Sequence, residues 1–311
     1  MKKSMILLLA IGFCFGCHNA NNKNNQQTTS NAQITLPKPD HIIIVIDENK
    51  GYNEIINTPQ TPYISRLAKE GALFTDSHGV QHPSQPNYLA FFSGSTQGTK
   101  GDECLQDSTP FTTPNLGAAL LKAGYTFKGY AQTMPSVGYL PCYYQKSTLT
   151  KAYLYGRKHC PWVNWTGNRE NNFPDSLSRP FTDFPTDSAD FSKLPTVTFV
   201  IPDMDHDMHN NIPNVGSDTT MIKMGDTWLQ QNLSKYIDWA QTHNSLFILT
   251  FDEDNFTPQN HIPTIFVGPM VKPGEYNDSI NHYNVLRTIE AMYKLSPSGP
   301  AQASAITNVW K

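Results

Sequence analysis

Two short acidic segments of this sequence contain side chains that could bind a metal ion. One pairs Glu48 with Asn49, and the other is Asp252-Glu253-Asp254. Adjacent carboxylates repel one another unless a cation neutralises them, and carboxylate and amide oxygens are the ligands of hard divalent cations. Taken alone, Asp252-Glu253-Asp254 fits a solvated acidic turn equally well, and Asn49 fits a helix N-cap, so the prediction depends on the combination of the two segments. We predict a site for one divalent ion, Mg, Ca, Mn or Zn, with the ligands Glu48, Asn49, Asp252 and Glu253.

A third polar segment, Asp203 to His209, has three carboxylates and two imidazoles within seven positions. Such a density is found in metal or phosphate sites and also in hydrophilic loops. Histidines beside acids are a common mixed ligand set and also move protons near neutral pH. We therefore favour a functional site for this segment.

A possible nucleophile, Ser84, lies in the segment His82-Pro83-Ser84-Gln85-Pro86-Asn87-Tyr88. The two prolines restrict the backbone on either side of the serine. Asn87 is predicted to open an apolar helix, whose first N–H groups would face an anion bound at the turn. A serine in this position could attack phosphorus if a bound metal ion ionised its hydroxyl. Taken alone, Ser84 is more often a turn or cap residue.

The secondary structure that would position these residues alternates between strands and helices. Continuous β-branched or aromatic runs at 41–46, 196–201 and 246–251 predict strands that are buried on both faces. Each of these strands is followed by one of the polar segments, and parallel strands present their carboxyl ends at one edge of a sheet. We predict an α/β fold with a mostly parallel central sheet flanked by helices and a large irregular insertion over 132–193.

The helices are predicted at 61–70, 87–92, 115–122, 228–241 and 283–295 from the spacing of their apolar residues. His282, which precedes the last of these helices, is expected to be a solvated surface histidine. We predict a disulfide between Cys104 and Cys142, because both lie in loop-like sequence, and Cys160 is then left over.

Composition narrows the class of protein. The chain of 311 residues is 38% hydrophobic and 16% charged, with a formal net charge of −3 and no basic tract. A full hydrophobic core is therefore expected, and a nucleic-acid-binding surface is not. The sequence does not indicate an oligomeric state.

The first residues have the features of an export signal. Lys2 and Lys3 precede a short apolar run, which ends with Gly16 directly before Cys17. This pattern resembles a bacterial lipoprotein processing site, so we predict a signal peptide at 1–17 with Cys17 lipidated; an ordinary secretory signal is the alternative. The Asn-, Gln- and Thr-rich segment 18–39 is expected to be a disordered tether, and the folded domain is 40–311.

Six segments in this order resemble the phosphoesterase family of bacterial acid phosphatases and phospholipases C, a branch of the alkaline phosphatase superfamily. The resemblance is closest to the secreted acid phosphatase or phosphatidylinositol-3-phosphatase subgroup and extends over about 41–295. The segments are Asp47-Glu48-Asn49, His82 to Tyr88, Tyr155-Gly156-Arg157-Lys158-His159, Pro202 to His209, Gly225 to Leu229, and Thr250-Phe251-Asp252-Glu253.

This resemblance implies roles for several residues. Ser84 would be the nucleophile and would form a phosphoserine, while the four predicted metal ligands keep their role. His159, Asp207 and His209 would line the phosphate pocket or assist proton transfer. Gln132 and the His159-Cys160-Pro161 triplet depart from the pattern expected of the family, which leaves the pocket wall and substrate choice open. The remaining predicted substrate contacts are His82, Asn87 and His206.

The resulting hypothesis is a metal-dependent hydrolase of phosphate monoesters that acts through a Ser84 phosphoenzyme. Its substrate would be a small molecule or a phosphoinositide, and the protein would be exported and lipid-anchored to the bacterial cell envelope. A phospholipase C-type phosphodiesterase acting on lipid head groups is the second hypothesis. A non-catalytic surface binding lipoprotein is the third.

Overall fold

An eight-stranded sheet forms the middle layer of the fold, in the order β11-β2-β10-β9-β1-β8-β4-β7. The protein is described here from a computed structural model, which covers residues 35–209, 219–300 and 302–311. Its strands are β1 (His41–Asp47), β2 (Ala72–Phe74), β3 (Ser77–His78), β4 (Phe127–Ala131), β5 (Tyr143–Lys146), β6 (Tyr153–Gly156), β7 (Ser178–Pro180), β8 (Val197–Ile201), β9 (Ser245–Phe251), β10 (Thr264–Val267), β11 (Gly274–Tyr276) and β12 (Ile280–Asn281).

Five neighbouring strands, β9, β1, β8, β4 and β7, are parallel, and β10 is antiparallel to both of its neighbours. The mostly parallel α/β sheet predicted from the sequence is therefore confirmed. The carboxyl ends of the five parallel strands lie at one edge of the sheet, which we call the carboxyl edge.

Helices cover both faces of the sheet. Those on one face include α3, α4 and α7, and those on the other include α2 and α6. None of the helices in the described residues is long and apolar enough to cross a membrane. The helices are α1 (Tyr52–Ile55), α2 (Pro62–Glu70), α3 (Ser84–Ser93), α4 (Leu116–Lys122), α5 (Ser188–Phe191), α6 (Thr219–Ala240) and α7 (His282–Met292).

The central strand β1 shows why the strand runs have no polar alternation. Ile42, Ile44 and Ile46 pack into the core on one face of the sheet, while Ile43 and Val45 pack into the core on the other. All five side chains are at most 1% exposed. Because helices cover both faces, every position of the strand needs an apolar side chain.

Helix α6 begins at Thr219 rather than at the predicted Trp228, so the sequence reading missed its first turns. Gly225 and Asp226 lie in those turns, and both residues have low helix propensity. The glycine is required by packing, because a Cβ atom there would lie 2.4 Å from Met208 and 2.7 Å from the His206 carbonyl oxygen. The first turns of α6 thus pack closely against the loop 203–209.

The irregular insertion predicted over 132–193 contains a two-stranded hairpin, β5–β6, as well as β7, which joins the edge of the main sheet. Several single turns of 3₁₀-helix and the short helix α5 make up much of the rest. The predicted disulfide between Cys104 and Cys142 is confirmed and fixes the base of the hairpin. Cys160 is a buried free thiol.

The last residues of the predicted tether contact the domain. Leu36 packs against the core, the Lys38 carbonyl accepts a hydrogen bond from Asn244, and the Pro39 carbonyl accepts one from Tyr293. The compact unit accordingly extends over Thr35–Lys311. The predicted signal peptide with Cys17, and most of the predicted tether, lie outside the described residues.

The buried carboxylate of Asp226 should contribute measurably to stability. It accepts hydrogen bonds from the backbone N–H groups of Tyr63 and Ile64, which are in the first turn of α2 and have no intrahelical acceptor. We expect Asp226→Ala to lower the free energy of unfolding by about 2 kcal/mol, because two buried donors lose their partner. Urea denaturation would measure this change.

The matched control is Asp238→Ala on the same helix, where the side chain is 65% exposed. We expect that change to stay within about 0.5 kcal/mol. Equal losses for the two variants would contradict the capping role of Asp226.

Candidate active site

The carboxyl edge brings together the first two acidic segments. Strands β1 and β9 pair in parallel with Asp47 opposite Phe251, so the residues that follow each strand become neighbours. The Asp252 N–H donates to the Asp47 carbonyl at 2.9 Å, and the Asn49 N–H donates to Asp252 Oδ1 at 2.9 Å. One hydrogen bond between backbone groups and one from a backbone N–H to a carboxylate thus join the two strand ends, as the parallel-sheet prediction required.

Ser84 lies at the same edge, at the first residue of α3. Its Oγ is 3.0 Å from Glu48 Oε2 and 3.2 Å from Glu253 Oε1, and its single proton can be donated to either. Asn49 Nδ2 donates to the same Oγ at 3.3 Å. Ser84 therefore lies beside three of the four metal ligands that were predicted from the sequence. The residue is only 1% exposed.

The helix at Ser84 differs from the sequence prediction in its start and in its anion site. It begins at Ser84 rather than at Asn87, because Pro86 in the first turn needs no hydrogen-bond acceptor. The Gln85 N–H donates to the Asp102 carboxylate at 2.8 Å. The predicted anion site is therefore reduced, since one N–H group already binds Asp102 and Pro86 has none.

Asn87 stabilises the turn that precedes the nucleophile. Its Oδ1 accepts hydrogen bonds from the N–H groups of Val80 and Gln81, and its Nδ2 donates to the carbonyls of Gln81 and Pro83. These contacts use the full capacity of the amide. Asn87 thus positions the turn before Ser84, and its predicted contact with the substrate stays a prediction.

The carboxylates at the edge are buried and crowded, which shifts their pKa values in opposite directions. Burial raises the pKa of Asp252 well above its usual range, and the charges of Glu48 and Glu253 add to the effect. Burial and Glu48 raise the pKa of Glu253 to about 7. Burial would also raise the pKa of Glu48, but the charges of His159 and Lys158 hold it well below its usual range. Negative charge thus concentrates on Glu48.

Several oxygens of this cluster lack a hydrogen-bond partner although they are fully buried. In the described part of the chain, these include Asp47 Oδ2 and Asp252 Oδ2. A buried oxygen without a donor is costly, and a cation would satisfy such oxygens and reduce the repulsion among the carboxylates. The donor set therefore fits a hard cation.

The Asn49 amide lies at the point where the predicted metal ligands come together. Its Nδ2 is surrounded by three oxygens, Glu48 Oε2 at 3.0 Å, Glu253 Oε1 at 2.9 Å and Ser84 Oγ at 3.3 Å. The residue adopts a positive φ of 54°, which Asn tolerates better than most residues. A half turn of the amide would present its oxygen to the same position, giving an all-oxygen set.

Among the residues that the structure describes, no group of three His, Cys, Asp or Glu side chains is spaced to hold a metal ion. A site here therefore depends on the amide of Asn49 and the hydroxyl of Ser84 as well as on carboxylates. Both oxygens are acceptable to magnesium and calcium.

Two predicted histidines contact Glu48. His159 is 2% exposed and places Nε2 2.7 Å from Glu48 Oε1, without the alignment of a hydrogen bond. Its ring stacks on Tyr88 at 5.0 Å between centroids. His209 Nδ1 lies 3.0 Å from Glu48 Oε2, and its side chain is 38% exposed. His209 is thus the imidazole that faces the open side of the cluster.

The environment of His209 favours its protonated form. Burial alone would lower the pKa of this imidazole, but the hydrogen bond to Glu48 and the charges of Glu48 and Asp207 raise it above its usual value. A histidine that stays protonated near neutral pH can donate a proton to a leaving group.

Asp207 joins the loop after β8 to the end of β1. Its carbonyl accepts a hydrogen bond from the Glu48 N–H at 2.8 Å, and its carboxylate accepts one from the His209 N–H at 3.1 Å. Asp207 Oδ2 lies 4.0 Å from His159 Nδ1. Burial and the charge of Glu48 raise the pKa of Asp207 to about 6. This residue therefore connects both histidines with Glu48.

His82 and His206, the other two predicted substrate contacts, lie on opposite sides of the cluster. His82 Nδ1 is 2.5 Å from Glu253 Oε2, and its ring stacks on Phe256. His206 Nδ1 is 2.7 Å from Asp203 Oδ1 and 3.1 Å from the Gln132 side-chain nitrogen. His82 is thus part of the cluster around Ser84, whereas the contacts of His206 are with the neighbouring loop.

Two residues near the cluster were missed in the sequence. His282 is 1% exposed and contacts the Asp252 carbonyl through Nε2 at 2.7 Å, so the expectation of a solvated surface histidine was wrong. Burial lowers the pKa of this imidazole to about 4, which keeps it neutral. Lys158 Nζ binds Asp102 at 2.7 Å. Its position directly before His159 was the available signal for a cation near the cluster.

A cavity of about 500 Å³ opens beside the cluster, at the carboxyl ends of β4 and β7. Aromatic side chains form much of its wall, and Ser84 does not line it. The lining residues are Gln132, Thr133, Met134, Pro180, Phe181, Thr182, Phe184, Thr186, Phe191, Trp228, Gln231, Asn232 and Lys235. The cavity is two strands away from β1 on the same edge, so it is a neighbour of the cluster and not its centre.

Two proteins named as phosphatases are similar in sequence to most of this chain. A phosphatidylinositol-3-phosphatase of Mycobacterium tuberculosis is 44% identical over 280 residues, which cover 90% of this chain and 85% of that protein. A phosphate-repressible acid phosphatase of Penicillium chrysogenum is 31% identical over 247 residues, which cover 76% of this chain and 55% of the relative. The chain thus spans nearly all of the first relative and about half of the second.

A comparison of folds agrees with this. A protein in the alkaline phosphatase superfamily from Vibrio parahaemolyticus aligns with a TM-score of 0.54 at 12% identity, covering 83% of this chain and 67% of the other. At that identity, the likeness concerns the fold alone. Residues 56–296 also match the model of the Phosphoesterase family. The chain belongs to the Phosphoesterase family and is a phosphoric-ester hydrolase with the fold of the alkaline phosphatase superfamily.

Proposed function

We propose that this protein hydrolyses phosphate monoesters in a reaction that depends on a divalent cation and uses Ser84 as the nucleophile. The observation that carries the proposal is the position of Ser84 Oγ, which lies within 3.3 Å of Glu48, Asn49 and Glu253 at the meeting point of two strand ends. A hydroxyl surrounded by buried oxygen ligands in a family of phosphoric-ester hydrolases has the surroundings of a metal-activated nucleophile.

The residues that would hold the cation are Glu48, Asn49, Asp252 and Glu253, with Ser84 Oγ beside them. A bound divalent ion would lower the pKa of the serine hydroxyl and attract the phosphoryl oxygens. The ions to be tested are magnesium, calcium, manganese and zinc.

In the first step, Ser84 passes its hydroxyl proton to the Glu48 carboxylate, Oγ attacks phosphorus, the bond between phosphorus and the ester oxygen breaks, and the alcohol leaves. His209 donates the proton that the leaving oxygen needs, because its ring is the exposed imidazole of the cluster. In the second step, water gives a proton to His209 and attacks phosphorus, which releases inorganic phosphate, and the Ser84 oxygen takes its proton back from Glu48. His159 and Asp207 position Glu48 and His209.

The first relative is a phosphatidylinositol-3-phosphatase, so the substrate we propose is a phosphate monoester that includes phosphoinositides. Hydrolysis of a lipid phosphate also suits a protein held at a membrane. We propose in addition that the chain is exported through a signal peptide at 1–17 and is anchored to the cell envelope by a lipid on Cys17, as the sequence predicts. Mass spectrometry of the mature N-terminus would test the anchor.

Removal of the nucleophile should abolish turnover. We expect Ser84→Ala to reduce kcat for p-nitrophenyl phosphate by about 10³-fold or more, because no oxygen remains to form the phosphoenzyme. The assay should include the phosphodiester analogue, since faster cleavage of the diester by the unmodified protein would favour a phosphodiesterase.

Ser65→Ala is the matched control, because this serine on α2 has a side-chain oxygen without a partner among the described residues. We expect unchanged turnover for that variant. Comparable activity of Ser84→Ala and the unmodified chain, with both folded by circular dichroism, would remove Ser84 from the mechanism.

The role of His209 depends on the leaving group. We expect His209→Gln to slow hydrolysis of an alkyl phosphate such as glycerol phosphate by about 10²-fold, because an alkoxide needs a proton to depart. The same variant should slow p-nitrophenyl phosphate much less, since nitrophenolate is stable as an anion. Steady-state kcat for the two substrates would measure the difference.

His206→Gln provides the control, because His206 contacts Asp203 and Gln132 rather than Glu48. An equal effect of His209→Gln on both substrates would show that His209 does not protonate the leaving group.

Binding of the cation should depend on pH. The folded-state pKa of Glu253 is raised to about 7 from an ordinary value of 4.5, so its favourable contribution to stability is present below pH 4.5 and is lost as the pH rises to about 7. A cation competes with this proton. We therefore expect the added cation to raise Tm by several degrees at pH 7.5 and by much less at pH 5.

Chelation should remove both the Tm increase and the activity, and one particular cation should restore both. The variant Asp252→Asn, which removes one proposed ligand, should lose most of the cation-dependent increase in Tm. If no divalent ion changes Tm at either pH, the cation site is not formed by these residues.

A further inference from the structure

The exposed apolar side chains of this protein are concentrated in one segment. Among the described residues, six large hydrophobic side chains are exposed, and five of them lie within residues 137–156, which we call the tyrosine hairpin. Tyr143, Tyr144 and Tyr153 are each about 40% exposed. An exposed apolar patch of this kind marks a surface that contacts another molecule or a membrane.

The sequence of the tyrosine hairpin is amphipathic and carries no negative charge. It contains five tyrosines and two lysines but no Asp or Glu, in a chain whose net charge is −3. Lys146 lies over the ring of Tyr153, 5.2 Å from its centroid. Lys146 and Lys151 are both exposed. Tyrosine rings with a hydroxyl at one end, flanked by lysines, are typical of the interface between lipid head groups and water.

The tyrosine hairpin is fixed to the body of the protein at its base and at its tip. Cys142 is joined to Cys104, and Arg157 donates to the Leu140 carbonyl at 2.8 Å. At the tip, the Asp205 carboxylate accepts hydrogen bonds from Ser147 at 2.7 Å and Thr150 at 2.8 Å. The exposed rings are therefore held outward before any contact is made, which lowers the entropy lost on binding.

These contacts also place the tyrosine hairpin at the carboxyl edge. Asp205 belongs to the loop after β8 that carries Asp207 and His209, and the Met204 N–H donates to the Leu154 carbonyl at 3.0 Å. Strand β6 leads directly into Lys158 and His159. A flat surface that touched the exposed tyrosines would therefore meet the protein on the edge that holds the candidate active site.

We propose that the tyrosine hairpin docks on the surface of a phospholipid bilayer and turns the carboxyl edge toward phosphate esters carried by lipids. The bilayer is favoured over a protein partner because the exposed rings are amphipathic tyrosines, accompanied by two exposed lysines and by no acidic residue within the hairpin. The presentation of lipid-borne esters rests on the proposed function, whereas the docking itself does not.

The docking is tested on the mature chain without a lipid, residues 18–311, which lacks both Cys17 and the apolar run of the predicted signal peptide and so binds vesicles only through its own surface. The protein is sedimented with vesicles of phosphatidylcholine, with and without phosphatidylserine. We expect Tyr143→Ser combined with Tyr144→Ser and Tyr153→Ser to reduce the vesicle partition coefficient by about fivefold or more, because interfacial binding scales with the apolar area inserted.

The matched control combines Lys69→Ala with Lys122→Ala. Both lysines are exposed in the last turns of α2 and α4, next to the starts of β2 and β4 and so at the edge opposite to the tyrosine hairpin. We expect this control to bind vesicles as the parent does. Lys146→Ala combined with Lys151→Ala should reduce binding only to vesicles that contain phosphatidylserine.

Activity separates this proposal from the proposed function. The triple tyrosine variant should hydrolyse soluble p-nitrophenyl phosphate at the parent rate, which also shows that it is folded, and should lose activity toward a phosphate monoester in vesicles. Hairpin-dependent vesicle binding by a protein without any phosphatase activity would support the docking and refute the function. Vesicle binding that the tyrosine changes do not alter, absence of binding by the parent, or hairpin-dependent self-association in ultracentrifugation instead would overturn the docking.

Discussion

The crowding of negative groups around Glu48 is the constraint on which the rest of the carboxyl edge depends. Its carboxylate is completely buried, yet it is contacted by the nucleophile, by the Asn49 amide and by two imidazoles. The charges of His159 and Lys158 keep this carboxylate ionised, so the acids beside it must either hold protons or have their charge taken up by a cation. Both conditions are recognisable here, because Asp252 and Glu253 have raised pKa values and several buried oxygens have no donor.

The fold maintains this crowding through the backbone. Glu48 donates its N–H to the Asp207 carbonyl, and Asp252 donates its N–H to the Asp47 carbonyl, so three strand ends are joined before any side chain takes part. His282 is held neutral by burial and contacts the Asp252 carbonyl from the helix α7. Because the links at Glu48 and Asp252 are backbone hydrogen bonds within a packed α/β core, the repulsion among the carboxylates does not separate the strands.

The features that could be predicted from the sequence are those encoded in a local pattern of residues. The strand β1 is buried on both faces, which leaves an uninterrupted apolar run, and polar residues directly after such strands must meet at one edge of a parallel sheet. Residues whose environment comes from distant chain segments could not be read in this way. The sequence around His282 resembles that of a surface histidine, and only the packing of α7 buries it. The first turns of α6 were not predicted because they contain Gly225, a poor helix former that is needed where Met208 packs closely.

The disulfide between Cys104 and Cys142 affects the stage of maturation at which the candidate active site is complete. It joins the loop that carries Asp102, the partner of both Lys158 and the first turn of α3, to the hairpin that leads into His159. Thiols remain reduced in the cytosol of most bacteria and oxidise outside it. A newly made chain would therefore lack this link until it met an oxidant, so the compartment in which the chain matures sets the time at which the candidate site becomes fully braced.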